Sequence, residues 1–536
     1  MTSRLHAFTA VLAGITASIG SASSPPVTIE GTFTDWSGRP VVQSDPTGDG
    51  DLDLIAVKIA DEPDWLQFLL ESPKDFDLSE NNELVLLIDT DDDASTGLQA
   101  EGIGAEIRFV LGEREGRFYA SPTSNSQSGT QIWHGDLSLQ SAPTVTSSVF
   151  EVALSRNARI GGDPVFTGDT IAMVLVDGGG ERVPDSGSIQ YVFDLSNPPP
   201  PRDVSLDKEH DEDVRLISWN VLNDNPWDSS ESQKFARMIQ AIEPDILNLQ
   251  EIYDHSPNQT RSRFIGWIGE NPKDWHVAGN NDCKTISRYP ILHSEPLSGN
   301  LVVLVDTTEV LGRPLLIFNA HTPCCGNDDG RQWEIDEMLQ FLGQVRAGDH
   351  DDIPSDVAVQ IAGDLNLVGL SQQLESLVDG NIINESEFGP DIAPDVDGSA
   401  LFDPFPLQTE SRLAYTWRND WSWYWPGRLD VSIISDSVLE PGRQLVLETR
   451  RMSAPRLAEH GLQADDSGCS DHLPIICDVR TPSGPAGDLD GNGIVNGSDL
   501  GILLAAWDTN SEVADLNGDG IVNGQDLGLM LADWAD

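Results

Sequence analysis

Five short polar signatures punctuate residues 213–480. They are Ser218-Trp219-Asn220-Val221, Asn248-Leu249-Gln250-Glu251, Asn319-Ala320-His321, Gly363-Asp364-Leu365-Asn366 and Ser470-Asp471-His472-Leu473-Pro474. Their polar side chains are mainly amides, carboxylates and imidazoles. Asn220 and Glu251 offer hard oxygen atoms of the kind that suit magnesium or manganese. Asp364 and His472 are of types that move protons. Asp430, in Arg428-Leu429-Asp430, is a carboxylate of the kind that orients and charges an imidazole. Together such groups can hold a divalent cation, activate a water and place donors around developing negative charge. Taken singly, an Asn at a strand end is usually a turn residue, and a lone Glu or His is usually solvated. Their joint occurrence is what favours chemistry.

The elements that must position them are strands alternating with helices. Apolar runs at 215–219, 245–249, 315–318, 357–362 and 429–434 read as strands, and each carries or leads into one of the polar residues. Phe235, Met238, Ile239 and Ile242 recur at helical spacing, which predicts a helix over 232–242. Polar residues at the ends of buried strands are where sites collect in layered α/β folds.

The five signatures, in this order, resemble the endonuclease/exonuclease/phosphatase superfamily. That group includes the DNase I-like nucleases, the neutral sphingomyelinases and the inositol-polyphosphate 5-phosphatases. The resemblance implies a central α/β four-layer sandwich (DNase I-like) at 213–480 and a Mg2+- or Mn2+-dependent phosphoester hydrolase. It implies Glu251 as principal metal ligand, Asn220 completing the sphere and Asp471 touching it. Asp364 is then the base that deprotonates water, and Asn366 fixes that water or donates to the phosphoryl oxygen. His472 donates to a non-bridging oxygen, oriented by Asp430. His321 stabilises charge or protonates the leaving oxygen. The chain departs from the pattern after Glu251, where no tyrosine or arginine matches those that some nucleases place there. Asn281, Asp282 and Lys284 are the residues available to that wall.

The flanks read differently. Residues 1–23 have the form of a signal peptide, with Arg4, an apolar stretch too short to span a bilayer and small residues at 20–22. The expectation is a secreted or cell-surface protein without a transmembrane segment, with a membrane anchor as the competing reading of this stretch. Residues 25–197 alternate apolar segments with Gly-, Pro- and Asp-rich turns, which predicts an antiparallel β-sandwich. Gly31-Thr32-Phe33-Thr34-Asp35-Trp36 and the run 88–97 resemble a family-9-type carbohydrate-binding module. Asp89, Asp91 and Asp93 are open to two readings, a calcium site or a solvated turn. Residues 198–212 are a proline-rich, then acidic, linker, and 481–487 are a second linker.

The tail, 488–536, contains an internal repeat. The loop 488–499 matches 515–526, and Trp507 and Trp534 keep the same offset. Each loop has oxygen side chains at positions 1, 3, 5, 9 and 12 and glycine at 6, the pattern of a calcium loop. The candidate ligands are Asp488, Asp490, Asn492, Asn496 and Asp499, then Asp515, Asn517, Asp519, Asn523 and Asp526. Asp at position 12 and a single helix after each loop resemble dockerin domains. That implies a small α-helical, calcium-binding unit and a cohesin-like partner.

The chain has 536 residues, too many for one ordinary core, and a net charge of −57 from 88 acidic and 31 basic residues. Such a chain repels polyanions at long range, although a bound cation can bridge phosphate to carboxylate. No basic stripe marks a nucleic-acid groove. All five cysteines, Cys283, Cys324, Cys325, Cys469 and Cys477, lie in the middle region, and the odd count leaves at least one unpaired within the chain. The alternation of Trp421, Trp423 and Trp425 predicts one face of a strand, either a stacking wall or core. The leading functional expectation is a phosphodiesterase, nuclease- or sphingomyelinase-like, acting on nucleic acid or a phospholipid headgroup. Two alternatives stand beside it. One is a dockerin-attached, polysaccharide-binding adhesive protein with a secondary or inactive hydrolase domain; the other is a phosphomonoesterase.

Overall fold

The computed structural model describes residues 26–48, 52–196, 198–202, 204–482, 484–490, 494–511, 513–518 and 520–534. The signal-like stretch 1–23 and the candidate calcium ligands Asn492 and Asp519 lie outside the described residues.

The N-terminal region is built from two antiparallel sheets. One has five strands, in the order Val41–Ser44, Ala56–Asp61, Trp65–Phe76, Ser147–Ser155, Gln140–Ala142. The other has seven, with Val85–Asp89 between Thr170–Val176 and Ile107–Val110. Alternate side chains of the facing strands, among them Phe68, Leu70, Ile88, Phe109, Val152 and Met173, form one shared apolar core. A period of two puts every second residue inward, which is why the alternating apolar segments fold this way.

The central region has four layers. Val214–Asn220 and Ile246–Gln250 lie parallel at the middle of a six-stranded mixed sheet. Leu315–His321 and Ala358–Asp364 lie parallel within a second sheet of five strands. The sheets pack face to face through Leu216, Ile246, Val303, Ile317 and Cys477. Helices Ser232–Ile242 and Pro257–Ile268 cover the outer face of the first sheet, and Asp328–Ala347 and Gln372–Asp379 cover that of the second. The helix Ser232–Ile242 buries the stripe Phe235, Met238, Ile239 and Ile242 against Trp219 and Leu247.

Between the sheets runs a buried polar chain. Gln250 Nε2 donates to Asn319 Oδ1 at 2.8 Å, and Asn319 Nδ2 donates to Thr285 Oγ1 at 3.1 Å. Thr285 donates to Asn248 Oδ1, Asn248 to Gln360 Oε1, and Gln360 to Ser432 Oγ. Buried amides carry a desolvation cost unless satisfied, so this network fits only one register of the two sheets.

The N-terminal and central regions are docked. Trp425 is buried in the N-terminal core, with its ring 6.1 Å from Phe109. Thr146 N donates to Gly369 O at 2.7 Å, and Arg428 N donates to Thr144 Oγ1 at 2.9 Å. The segment 417–427 is an irregular loop rather than the expected strand. Trp425 is buried, Trp423 stacks edge-on against Trp133, and Trp421 is 97% exposed. The alternation served docking, because indoles two apart in an irregular loop need not share a face.

In the tail, helices Gly497–Ala505 and Gly524–Ala532 pack through Val495, Leu503, Val522 and Met530. Among the described residues, no helix is long and apolar enough to cross a membrane. The five cysteines are free, with Cys324 and Cys325 exposed and the other three buried.

Candidate active site

Asn220 ends its strand, Glu251 follows the next one, and His321 and Asp364 end the parallel pair of the second sheet. Parallel register sets His321 opposite Asp364, and antiparallel register sets Asp364 opposite Asp430. Gly363 makes this possible. Its φ is +148°, and a Cβ there would lie 1.8 Å from Ala320 O. Only glycine lets the two strands approach this closely just before Asp364.

Asp364 Oδ2 is the meeting point. Asn220 Nδ2 donates to it at 2.9 Å, His321 Nε2 lies at 3.6 Å and His472 Nε2 at 3.5 Å. Asp364 Oδ1 accepts from Asn366 N at 3.0 Å. Burial pushes the Asp364 carboxyl up, and the two imidazoles offset part of that.

His472 is held from behind. Its Nδ1 lies 2.9 Å from Asp430 Oδ2, which also accepts from Thr416 Oγ1 at 2.6 Å. Burial pulls the imidazole pKa down, but Asp430 and Asp364 outweigh it and raise it to about 10. His321 is built the same way: Nδ1 lies 2.6 Å from Asp282 Oδ2, and its backbone N donates to Asn300 Oδ1. Burial again opposes, and Asp282, Asp364 and Glu251 raise the pKa to about 9.

Ligand atoms of Glu251, His321 and Asp364 lie within 4.8 Å of one another, and so do those of Asp364, Asp430 and His472. The carboxylates in these groups fit a hard divalent cation. Asn220 turns its amide nitrogen to Glu251 Oε1, at 3.0 Å, and to Asp364, while its oxygen accepts from Leu222 N. The one amide group thus donates to both carboxylates. Asp471 stands beside this group. One of its oxygens accepts from Trp417 Nε1 at 3.1 Å, and the other is buried without a partner. Asn366 has φ +49° and donates its amide to Thr322 O at 3.0 Å.

Beyond Asp430, two contributors stand outside the five signatures. Asp282 joins the His321 imidazole to Glu251 N, and Thr416 joins Asp430 to the loop that carries Trp417. Asp282 lies beside Cys283 at a strand start, and Thr416 lies among tryptophans. Neither has a sequence signal beyond an unassigned polar residue near an unmatched wall.

In the tail, ligand atoms of Asp488, Asp490 and Asp499 lie within 4.8 Å of one another. Asp499 and Asp526 each accept backbone N–H groups of their own loops, and Asn496 and Asn523 cap the two helices. In the N-terminal region, Asp89 and Asp91 group with Glu106, whereas Asp93 accepts from Ser95.

Residues 217–472 match the model of the Endonuclease/Exonuclease/phosphatase family. Three solved structures resemble the chain. The human Nocturnin catalytic domain with bound sulfate anion is 15% identical, with 51% of this chain and 95% of that one covered and a TM-score of 0.34. The D. rerio TDP2 complexed with single strand DNA product is 17% identical, with 51% and 100% covered and a TM-score of 0.32. The endonuclease/exonuclease/phosphatase from Bacteroides vulgatus is 15% identical, with 50% and 99% covered and a TM-score of 0.34. Comparison with curated proteins gives no match.

Proposed function

We propose that the central domain hydrolyses phosphodiesters by attack of a water activated at Asp364. The observation that carries this is the convergence on Asp364 Oδ2, where Asn220 and two carboxylate-backed histidines meet one buried carboxylate. Asp364 takes the proton of the attacking water. His472, kept cationic by Asp430, donates through Nε2 to a non-bridging phosphoryl oxygen. His321, kept cationic by Asp282, donates to the leaving oxygen or offsets its charge. Glu251 with the neighbouring oxygens would hold Mg2+ or Mn2+, which would supply charge neutralisation when bound. Asn220 and Asp471 border that position. The central domain's face of the cleft has no Lys or Arg among its described lining residues, which favours a singly charged diester over a dianionic monoester.

The test is turnover by the full chain with Mg2+ or Mn2+. The substrates are duplex DNA, single-stranded RNA, sphingomyelin, an aryl phosphodiester and an aryl phosphomonoester. Metal-dependent diester hydrolysis that is lost in Asp364→Ala and His472→Ala is the expected result. Metal binding by folded protein without turnover of any of them would favour the alternative of an adhesive protein with an inactive domain.

We also propose that the tail loops bind calcium and dock a cohesin-like partner, and that the N-terminal sandwich carries affinity for polysaccharide. Export to the cell surface or medium fits both. Chelation should unfold the tail while the central sheets stay folded. A tail spectrum indifferent to chelator would remove the calcium claim.

A further inference from the structure

The catalytic cleft is not walled by the central domain alone. A cavity of about 330 Å3 is lined on one side by Glu251, His321, Asp364 and His472, and on the other by Asp77, Glu80 and Arg114 of the N-terminal sandwich. The docking contacts through Trp425, Thr144 and Thr146 hold that wall in place. The lining is acidic on both sides, and among its described residues Arg114 is the sole Lys or Arg.

Arg114 ends the short turn Leu111–Glu113 in a left-handed conformation. Its guanidinium carbon lies 4.6 Å from the ring centre of Tyr424, which belongs to the central domain's aromatic loop. One terminal nitrogen lies 3.4 Å from Glu80 Oε2, while Nε is buried without a hydrogen-bond partner. The Arg114 side chain is 14% exposed and Glu80 is 51% exposed. A guanidinium presents a planar fork of donors suited to a phosphate or carboxylate. Here the fork is only partly used: its ion-pair partner Glu80 is half exposed and can swing into water at little cost, while Asp77 on the same wall also feels its charge.

We infer that Arg114 is a substrate-binding residue, the anchor of a subsite that takes a second anionic group of the substrate while the scissile phosphoryl group sits at Asp364. This rests on the hydrolase reading. The preferred substrate is then a phosphodiester with a further phosphate or carboxylate on its non-reacting part, and the sandwich is a specificity wall of the active site. Tyr424 holds the guanidinium plane, and Glu80 is its resting partner, displaced when the anion arrives.

The experiment uses the full chain and two readouts. Turnover is measured on thymidine 5′-(p-nitrophenyl phosphate) with and without a 3′-phosphate, which share leaving group and reacting phosphorus. Binding is measured by calorimetry with thymidine 3′,5′-bisphosphate and with thymidine 5′-monophosphate. Wild type should favour the 3′-phosphorylated member of each pair. Arg114→Gln should raise its KM and Kd about tenfold, as loss of a charge-assisted bidentate contact does, and leave the other member within about twofold. Arg114→Lys should restore part of the preference. Glu80→Gln should strengthen it, an outcome that a merely structural Arg114 would not produce. Equal losses on both members in Arg114→Gln, or an unchanged preference in Arg114→Gln and Glu80→Gln, overturns the inference. Absence of turnover with the bisphosphate preference intact and Arg114-dependent overturns only the hydrolase reading.

Discussion

His321 Nδ1 lies 2.6 Å from Asp282 Oδ2, and the same carboxylate oxygen accepts from the backbone N–H of Glu251 at 3.1 Å. One side chain therefore sets both the imidazole and the backbone of the candidate metal ligand. Asp282→Asn keeps the shape and removes the charge. It should weaken metal-dependent activity about ten- to a hundredfold, as loss of a carboxylate behind a ligand does. Activity measured against magnesium concentration checks this, with the midpoint expected to shift upward.

Asp430 and His472 form the companion pair, with Thr416 as a further donor to Asp430. Asp430→Asn should leave His472 no longer held as a cation and lower kcat roughly a hundredfold, with little change in KM. Steady-state kinetics separate the two. A rise in KM alone would assign Asp430 a binding role instead.

Trp425 joins the two regions from within the N-terminal core, although its indole N–H is buried without a partner. Trp425→Ala should destabilise the docked pair by about 3–5 kcal/mol, through lost burial and a cavity. Trp425→Phe should cost far less, because it also removes the unsatisfied donor. Since the same loop carries Trp417, whose indole bonds Asp471, Trp425→Ala should also lower activity. Denaturant unfolding beside a turnover assay reads both effects.

Glu151 sits inside the sandwich, accepting from Trp36 Nε1 at 2.9 Å and Gly31 N at 2.8 Å. Burial dominates over these donors and raises its pKa from 4.5 to about 8. The folded state then holds a proton that the unfolded chain has released above pH 4.5. The resulting stability is fully present below that pH and is lost as pH rises through about 8. Thermal unfolding across this range should show a falling midpoint, with a shallower fall in Glu151→Gln. An equal slope in both would mean that Glu151 is ionised in the folded protein.

Much of the site was legible because strand ends announce themselves. Apolar runs that stop at Asn220, His321 and Asp364 identify positions where a buried strand emerges, and a carboxylate or imidazole there carries a desolvation cost that only partners offset. The repeat of the tail was equally visible, since its loop spacing is local. Asp282 was harder to read. Its neighbours in sequence do not mark it, and its meaning comes from a strand pairing that sets it beside Glu251 and from the face-to-face packing of the two sheets that brings it to His321.

The sequence by itself determined the local terms: where strands and helices run, which polar types end them and that the tail repeats. Tertiary structure decided the rest. It decided that Asp364 rather than any other carboxylate is the meeting point, because register across three strands places His321, Asp364 and Asp430 side by side. It also turned the tryptophan loop into a tether and gave the cleft a wall from another region of the chain. Periodicity reports what a residue's own element buries. It carries no information about which distant surface an irregular loop will meet, and that contact depends on shape matching between surfaces far apart in the chain.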